Sequence, residues 1–413
     1  MKEPPCNVCN TRLKSGVKHT YAIKLYVIFG DHKYKYLLCT KPPQIKHSMT
    51  KHPPRFSYTI MEPTITLDNP QPQSNILDEI SQLTTANSQT PLERIGYGSC
   101  GTVWADPSRT DGIVLKRADG LPDRSISNES RIHKLILSKA ANVLSLESSF
   151  RVNIPNSIGF MSPKAPAWDR IIPRLPNDFA SCDALLNERI VPMSRSACRV
   201  IAQKFRDGDI TLLLGDKRNE HCLIRPYLGR RRTEARKGKS RFINLRNYPL
   251  HMDQIEELGI PADEYAMAMA DALSFLLWVV RVDASDVEFV LAPSRVSSQM
   301  QVYPEPGIGS CDFTPGVLGR HSMWLLDFDC CRSLAMNKQG IEKATERFWR
   351  NDPYYPNPDC KSSEDERLWR VFKDRFLATS LAILRGEPEQ IRELPNVLLA
   401  RIEGTIGAYT KGV

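Results

Sequence analysis

From Pro91 onward the chain runs first through short β-branched segments punctuated by Gly and Asp, and only later through long segments of helical spacing. That order limits the fold more than any other feature. Residues 93–96, 101–105 and 112–116 read as antiparallel strands, and 127–141 as a helix. Further strands fit 150–154, 158–161 and 222–225, with a helix near 197–206. Helices recur at 252–258, 262–280 and 364–384, and short strands at 287–291 and 324–328 flank a Pro/Gly-rich loop. No internal repeat is present, so the pattern predicts an α+β, two-lobed architecture: a small antiparallel-sheet lobe on a larger helical one. The expected boundaries are an amino-terminal helix and linker over 61–90, a small lobe with an insertion over 91–226, a helical lobe over 227–390, and a tail over 391–413.

Composition excludes several classes. With 41% hydrophobic and 25% charged residues, the 413-residue chain has the make-up of a soluble globular protein. Its longest helical apolar stretch, 272–280, is too short to span a bilayer, and no apolar signal core follows the amino terminus. A cytoplasmic location without membrane association is expected. The net charge of +9 lies entirely in residues 1–56, which hold eleven Lys/Arg and two Asp/Glu; the remainder carries 45 of each sign. Any polyanion site in the folded part must therefore be a local patch. The basic, Pro-containing segment 1–60 reads as disordered or as an extension preceding a start at Met61, although the apolar run 21–29 could pair as a strand. The eleven cysteines lack repeated spacing, which favours reduced thiols. Cys6 and Cys9 have metal-ligand spacing, but no second pair follows, so no metal site is expected.

The chemistry-bearing residues come in a recognisable order. Gly96-Tyr-Gly98-Ser-Cys-Gly101-Thr-Val103 is a glycine-rich strand–turn–strand of the kind that lets backbone N–H groups approach phosphates. Lys116 follows thirteen residues after Val103, and Glu129 thirteen residues after that, at the start of a helix. Three such elements in order resemble the nucleotide lobe of protein kinases, with Lys116 and Glu129 as its lysine–glutamate pair. The second half continues the resemblance with changes. Asp283 stands where the kinase catalytic Asp would be, and Glu288 where the metal-binding Asn would be. Leu326-Asp327-Phe328-Asp329 resembles the metal-binding Asp-Phe-Gly. Asp283, Asp286, Glu288, Asp327 and Asp329 are thus expected on one cleft floor, where crowded carboxylates need a cation between them. A kinase using ATP and Mg²⁺, or a silent pseudokinase scaffold, follows if the resemblance is taken literally.

Between 230 and 241 lie seven basic residues against one acid: Arg230, Arg231, Arg232, Arg236, Lys237, Lys239 and Arg241. Such a run suits a phosphate backbone or a solvated loop. The strings Arg-Pro-Tyr-Leu-Gly-Arg-Arg at 225–231, Phe-Ile-Asn-Leu-Arg-Asn-Tyr-Pro-Leu at 242–250, Asp-Val-Glu-Phe-Val-Leu at 286–291 and Asn-Asp-Pro-Tyr-Tyr-Pro at 351–356 carry a second resemblance. Over residues 90–385 the chain resembles a filamentous-fungal family labelled hypothetical or zinc-finger protein. That family is similar to, or includes, the arginine-containing cyclodipeptide synthases of secondary metabolism. The resemblance implies aminoacyl-tRNA substrates, arginyl-tRNA among them, with no cofactor, and a cyclic arginine–Xaa dipeptide product. The family's acidic Asp-Asp-x-x-Glu string is absent; Asp283-x-x-Asp286-x-Glu288 stands nearest to it. An activated aminoacyl ester needs positioning and proton removal rather than ATP. On this reading the acidic floor takes the arginyl guanidinium or the attacking ammonium, the basic run takes tRNA, and Ser285, Cys330 or Cys331 could hold an acyl group.

Overall fold

The computed structural model describes the strand backbone of Ala22–Phe29 and His32–Cys39 and residues 90–143, 151–295 and 312–408. Two units result. In the first, β1 (Ala22–Phe29) pairs antiparallel with β2 (His32–Cys39) in a register running from Ala22↔Cys39 to Phe29↔His32. Aromatic and branched apolar residues in both segments suit strands, as expected for 21–29. Cys6, Cys9 and the expected helix at 75–83 lie outside the described residues.

The second unit is α+β, with two five-stranded sheets and two main cores. The first sheet is wholly antiparallel. It contains β3 (Glu93–Gly98), β4 (Gly101–Ala105), β5 (Ile113–Arg117), β7 (Ser157–Met161) and β8 (Ala184–Glu188), in the order β3-β4-β5-β8-β7. Strand alternation buries Ile113, Leu115 and Arg117 on one face with Trp104, Trp168 and Leu186, and turns Lys116 to the other. There α1 (Ile126–Val143) crosses the sheet and presents Glu129.

The second sheet is mixed, in the order β10-β9-β11-β12-β6. It contains β6 (Val152–Asn153), β9 (Ile224–Tyr227), β10 (Tyr248–His251), β11 (Glu288–Ala292) and β12 (Ser322–Leu326). Around it pack α2 (Arg195–Phe205), α3 (Ile210–Gly215), α4 (Met252–Glu257), α5 (Ala262–Ser274), α6 (Lys338–Arg350), α7 (Ser363–Ile383) and α8 (Leu394–Gly404). The α5–α7 contact is clamped by a buried carboxylate. Asp271 accepts two bonds from the Arg375 guanidinium, at 2.7 and 2.8 Å, and one from Thr379.

Three expectations need correction. The helix expected over 262–280 is α-helical only to Ser274, and Phe275–Val280 forms a π turn. Arg281, left-handed at φ 61°, then ends it. Apolar residues between 193 and 224, expected with the small lobe, contribute instead to the second core. Met193, the buried face of α2 and strand β9 all join the second core, where Ala197, Cys198, Ile201 and Phe205 pack as an apolar stripe. The expected tail at 391–413 contains α8, whose Leu394, Leu398, Leu399 and Ile402 are buried against α6 and α7. Among the described residues, no helix is long and apolar enough to cross a membrane.

The α8 finding is testable by a single truncation. Leu398→Ala empties a core position and should cost about 2–5 kcal/mol in a urea or guanidinium melt. A change within about 0.5 kcal/mol would return the segment to the status of a surface tail.

Candidate functional site

The cleft between the two sheets is built on unusual backbone. Among the described residues, five non-glycine residues have left-handed φ, and four of them, Arg281, Ala284, Asp286 and Asp327, fall in the two segments that carry the expected floor carboxylates. Asp tolerates this conformation better than most residues, but such a concentration costs of order 1–3 kcal/mol per residue and persists only where surrounding structure enforces it. Here Asn351 does so. Its side chain accepts from the Asp286 N–H at 2.7 Å and donates to the Ala284 carbonyl at 2.8 Å. Pairing of β11 with β12 sets Glu288 opposite Leu326, so Glu288 and Asp327 emerge at the same sheet end. From above, the Asn128 amide on α1 holds the carbonyls of Asp329 and Cys331.

Each expected floor carboxylate has a cation from the chain itself. Lys116 Nζ lies 2.7 Å from Glu129 and 2.8 Å from Asp327, joining β5, α1 and the end of β12. Arg124 reaches Asp286 at 2.5 Å, Asp329 at 3.1 Å and the Cys330 sulfur at 2.6 Å. Arg225 on β9 places Nη2 2.6 Å from both oxygens of Glu288. Its Nη1 is 3.5 Å from Asp352, which also accepts from the Tyr227 hydroxyl at 2.8 Å.

Two expectations about the floor are therefore corrected. Glu288 does not stand open to a substrate guanidinium, because Arg225 fills that role. Asp283 is not on the open floor at all: its side chain is 0% exposed, Arg332 N–H donates to it at 2.9 Å, and Lys343 and Arg347 on α6 lie 3.5 and 3.9 Å away. The loop 281–283 runs against 332–334, which turns the carboxylate inward. The floor carboxylates that keep much of their surface are Asp286 and Asp352, at 44% and 45% side-chain exposure.

The electrostatics follow from burial and these pairings. Burial raises Glu129 to about 7, against the pull of Lys116, because one ammonium cannot neutralise both of its carboxylate partners. Asp327 takes the larger share. Burial pushes it upward, yet Lys116 together with Arg124 and Arg225 outweighs this and holds it below its usual range. Burial likewise raises Glu288 to about 7, opposed by Arg225 and reinforced by Asp327. The Cys330 thiol is pushed up to about 11 by burial and by Asp329, so it is protonated at neutral pH. Ser285 and Cys331 are both buried, and neither is presented to the cleft.

The glycine-rich turn is occupied by protein. A side chain at Gly101 would lie 2.0 Å from the Arg117 carbonyl, and one at Gly120 2.2 Å from that of Ser99. The turn thus packs on residues 119–121, with Leu121 N–H donating to Ser99 at 2.7 Å and Thr102 N–H to Asp119 at 2.7 Å. Gly96 faces Val103 across the strand pair, and Gly98 has open space beside it. Cys100 points inward, its sulfur 3.7 Å from Glu129.

Beyond β9 the basic run is partly neutralised. Arg231 pairs with Glu256 at 2.6 Å and Asp365 at 2.7 Å. Arg232 pairs with Asp253 at 2.7 Å and Glu257 at 3.0 Å. Lys237 pairs with Glu234, and Arg241 with Asp207. Arg230, Arg236 and Lys239 have no ion pair among the described residues. Sequence reasoning missed Arg124, Arg225, Tyr227 and Asp352. The strings at 225–231 and 351–356 contained three of them, but nothing local marks them as partners.

Removing the Lys116 ammonium leaves two inward carboxylates uncompensated. Lys116→Met should destabilise the fold by about 3–5 kcal/mol in chemical denaturation. Lys116→Met with Glu129→Gln should recover part of that loss. Because folding raises the Glu129 pKa from 4.5 to about 7, its stabilising contribution is present at low pH and is lost as pH rises through that window. Glu129→Gln should flatten that fall in a series of melts between about pH 4 and about pH 7.5, with endpoints about half a unit outside the ordinary and raised values. An unchanged pH slope would count against the assignment.

A family model described as "DUF3669: Zinc finger protein" matches residues 323–388, a stretch that includes β12, α6 and α7. Its cysteines are Cys330, Cys331 and Cys360, and it contains no histidine. Among the described residues no four potential ligands converge; the tightest groups are Cys100–Glu129–Asp327 and Asp286–Asp329–Cys330. No curated protein and no solved structure gives a match.

Proposed function

We propose that the chain is an aminoacyl-tRNA-dependent peptide-bond-forming enzyme, an arginine-containing cyclodipeptide synthase on a protein-kinase-like fold. The observation that carries this reading is the geometry at Glu288, a largely enclosed carboxylate with both oxygens 2.6 Å from Arg225 Nη2, beside Asp327 at the same sheet end; burial there raises its pKa to about 7. A carboxylate of that pKa suits removal of a proton from an α-ammonium group near neutral pH. The freed amine attacks the ester carbonyl of a second aminoacyl group, the amide bond forms, and the ribose oxygen leaves with a proton. A second such attack, within the dipeptidyl ester, closes the ring and releases the other tRNA. Neither step consumes ATP. Asp286 and Asp352, with their exposed oxygens, are the carboxylates that an arginyl guanidinium would meet.

A phosphotransferase is the second reading, favoured by Lys116 bridging Glu129 and Asp327. Against it stand the inward Asp283, which is out of reach of an acceptor hydroxyl, and the turn at Gly101, whose amides approach the chain's own backbone.

The test supplies purified chain with preformed arginyl-tRNA and a second aminoacyl-tRNA, and measures diketopiperazine by mass spectrometry. The product rate should rise as pH passes upward through about 7, since the base acts deprotonated. Glu288→Gln should lower the rate by about 10²–10⁴-fold and abolish that rise. Full activity in Glu288→Gln would overturn the role of Glu288. Absence of product, together with ATP hydrolysis that disappears in Lys116→Met, would favour the phosphotransferase.

A further inference from the structure

Phe242 is 95% exposed, the most exposed large apolar side chain among the described residues. Leaving a Phe in water forgoes about 1.5–3 kcal/mol of burial, and nothing in the packing compensates for it. The backbone that carries it is nevertheless firmly held. Ser240 N–H donates to the Phe205 carbonyl at 2.8 Å, and Asp207 N–H to the Ser240 carbonyl at 2.9 Å. Arg206 donates to the Arg241 carbonyl at 3.0 Å, and Phe242 N–H to the Ser240 hydroxyl at 3.2 Å.

The other end of the segment is equally anchored. Arg232 lies 5.2 Å over the Phe205 ring, binds the two acids of α4, and donates to the Gly238 carbonyl at 3.1 Å. Arg231 ties the same stretch to Glu256 and Asp365. These two arginines are struts, and their charge is spent inside the protein. Arg206, Arg230, Arg236 and Lys239 carry charge with no ion pair among the described residues. An aromatic face held out on a braced segment, with uncompensated cations around it, matches what an unpaired nucleic-acid strand requires: a stacking surface for a base and cations for its phosphates. A solvated loop needs neither the bracing nor the aromatic ring.

We infer that the segment 230–242 docks the single-stranded end of an RNA, with Phe242 stacking on a base and Arg236 and Lys239 meeting phosphates. The choice of RNA rests on the aminoacyl-tRNA reading; the stacking role of Phe242 rests on its geometry alone. The test uses the full chain and a labelled, uncharged single-stranded RNA ending in CCA, titrated by fluorescence anisotropy at several salt concentrations. Phe242→Ala should weaken binding about 5- to 100-fold with the salt slope unchanged, and Phe242→Trp should restore it. Arg236→Gln with Lys239→Gln should instead lower the log–log salt slope by about 1.4. Equal affinity in Phe242→Ala, or no RNA binding at moderate salt, would overturn the inference. So would a self-associated chain that dissociates on Phe242→Ala in sedimentation, since the ring would then cover a second copy. No catalysis enters this assay. A chain that binds through Phe242 yet makes no dipeptide refutes the proposed enzyme alone, and product formation with Phe242-independent binding refutes the dock alone.

Discussion

The ammonium of Lys116, 2.7 Å from Glu129 and 2.8 Å from Asp327, is the contact on which the rest of the cleft depends. It joins three pieces of chain: a strand of the first sheet, the helix lying on it, and the end of a strand in the second sheet. Two carboxylates drawn into a low-dielectric space would repel one another and resist burial. One cation between them makes that burial tolerable and fixes the spacing of the sheets. Its sharing is unequal, with Asp327 the better paired and Glu129 left closer to protonation.

The same economy extends across the floor. Arg124 serves Asp286 and Asp329, and Arg225 serves Glu288 and leans toward Asp352. A floor so neutralised attracts cations far less than its acid count implies, because each charge is already satisfied at short range. What remains accessible is selective. Asp286 and Asp352 keep exposed oxygens at the rim, while Glu288 sits deeper with its proton affinity raised. This separates half-exposed carboxylates at the edge from a deeper one whose proton affinity burial raises. The left-handed residues Ala284, Asp286 and Asp327 are the backbone cost of that arrangement, and Asn351 and Lys116 help to hold it.

The basic segment after β9 obeys the same logic in reverse. Charge that looks uniform along 230–241 divides into arginines consumed as struts and cations left for solvent or ligand. The struts make the segment rigid, and rigidity is what gives an exposed ring such as Phe242 value as a binding surface, since little conformational entropy remains to be lost on contact.

Much of the fold was legible because its signals are local. Short β-branched runs put Lys116 on a strand, and helical spacing found α1, α2 and α7 to within a few residues. Strand β8 and helix α8 escaped, since a five-residue strand between polar loops and a leucine-rich helix near the carboxy terminus carry weak local patterns. By itself the sequence determined which residue types crowd the cleft and in what order the strands and helices come, because hydrophobic period and motif spacing act over a few turns of chain. Beyond the Lys116–Glu129 pair, only the tertiary structure decided which carboxylate met which cation. Arg225 and Glu288 are 63 residues apart, and Arg124 and Asp329 are 205 apart. The first pair is selected by which strands neighbour one another in the second sheet, the other by how the two sheets dock, and no local periodicity encodes either.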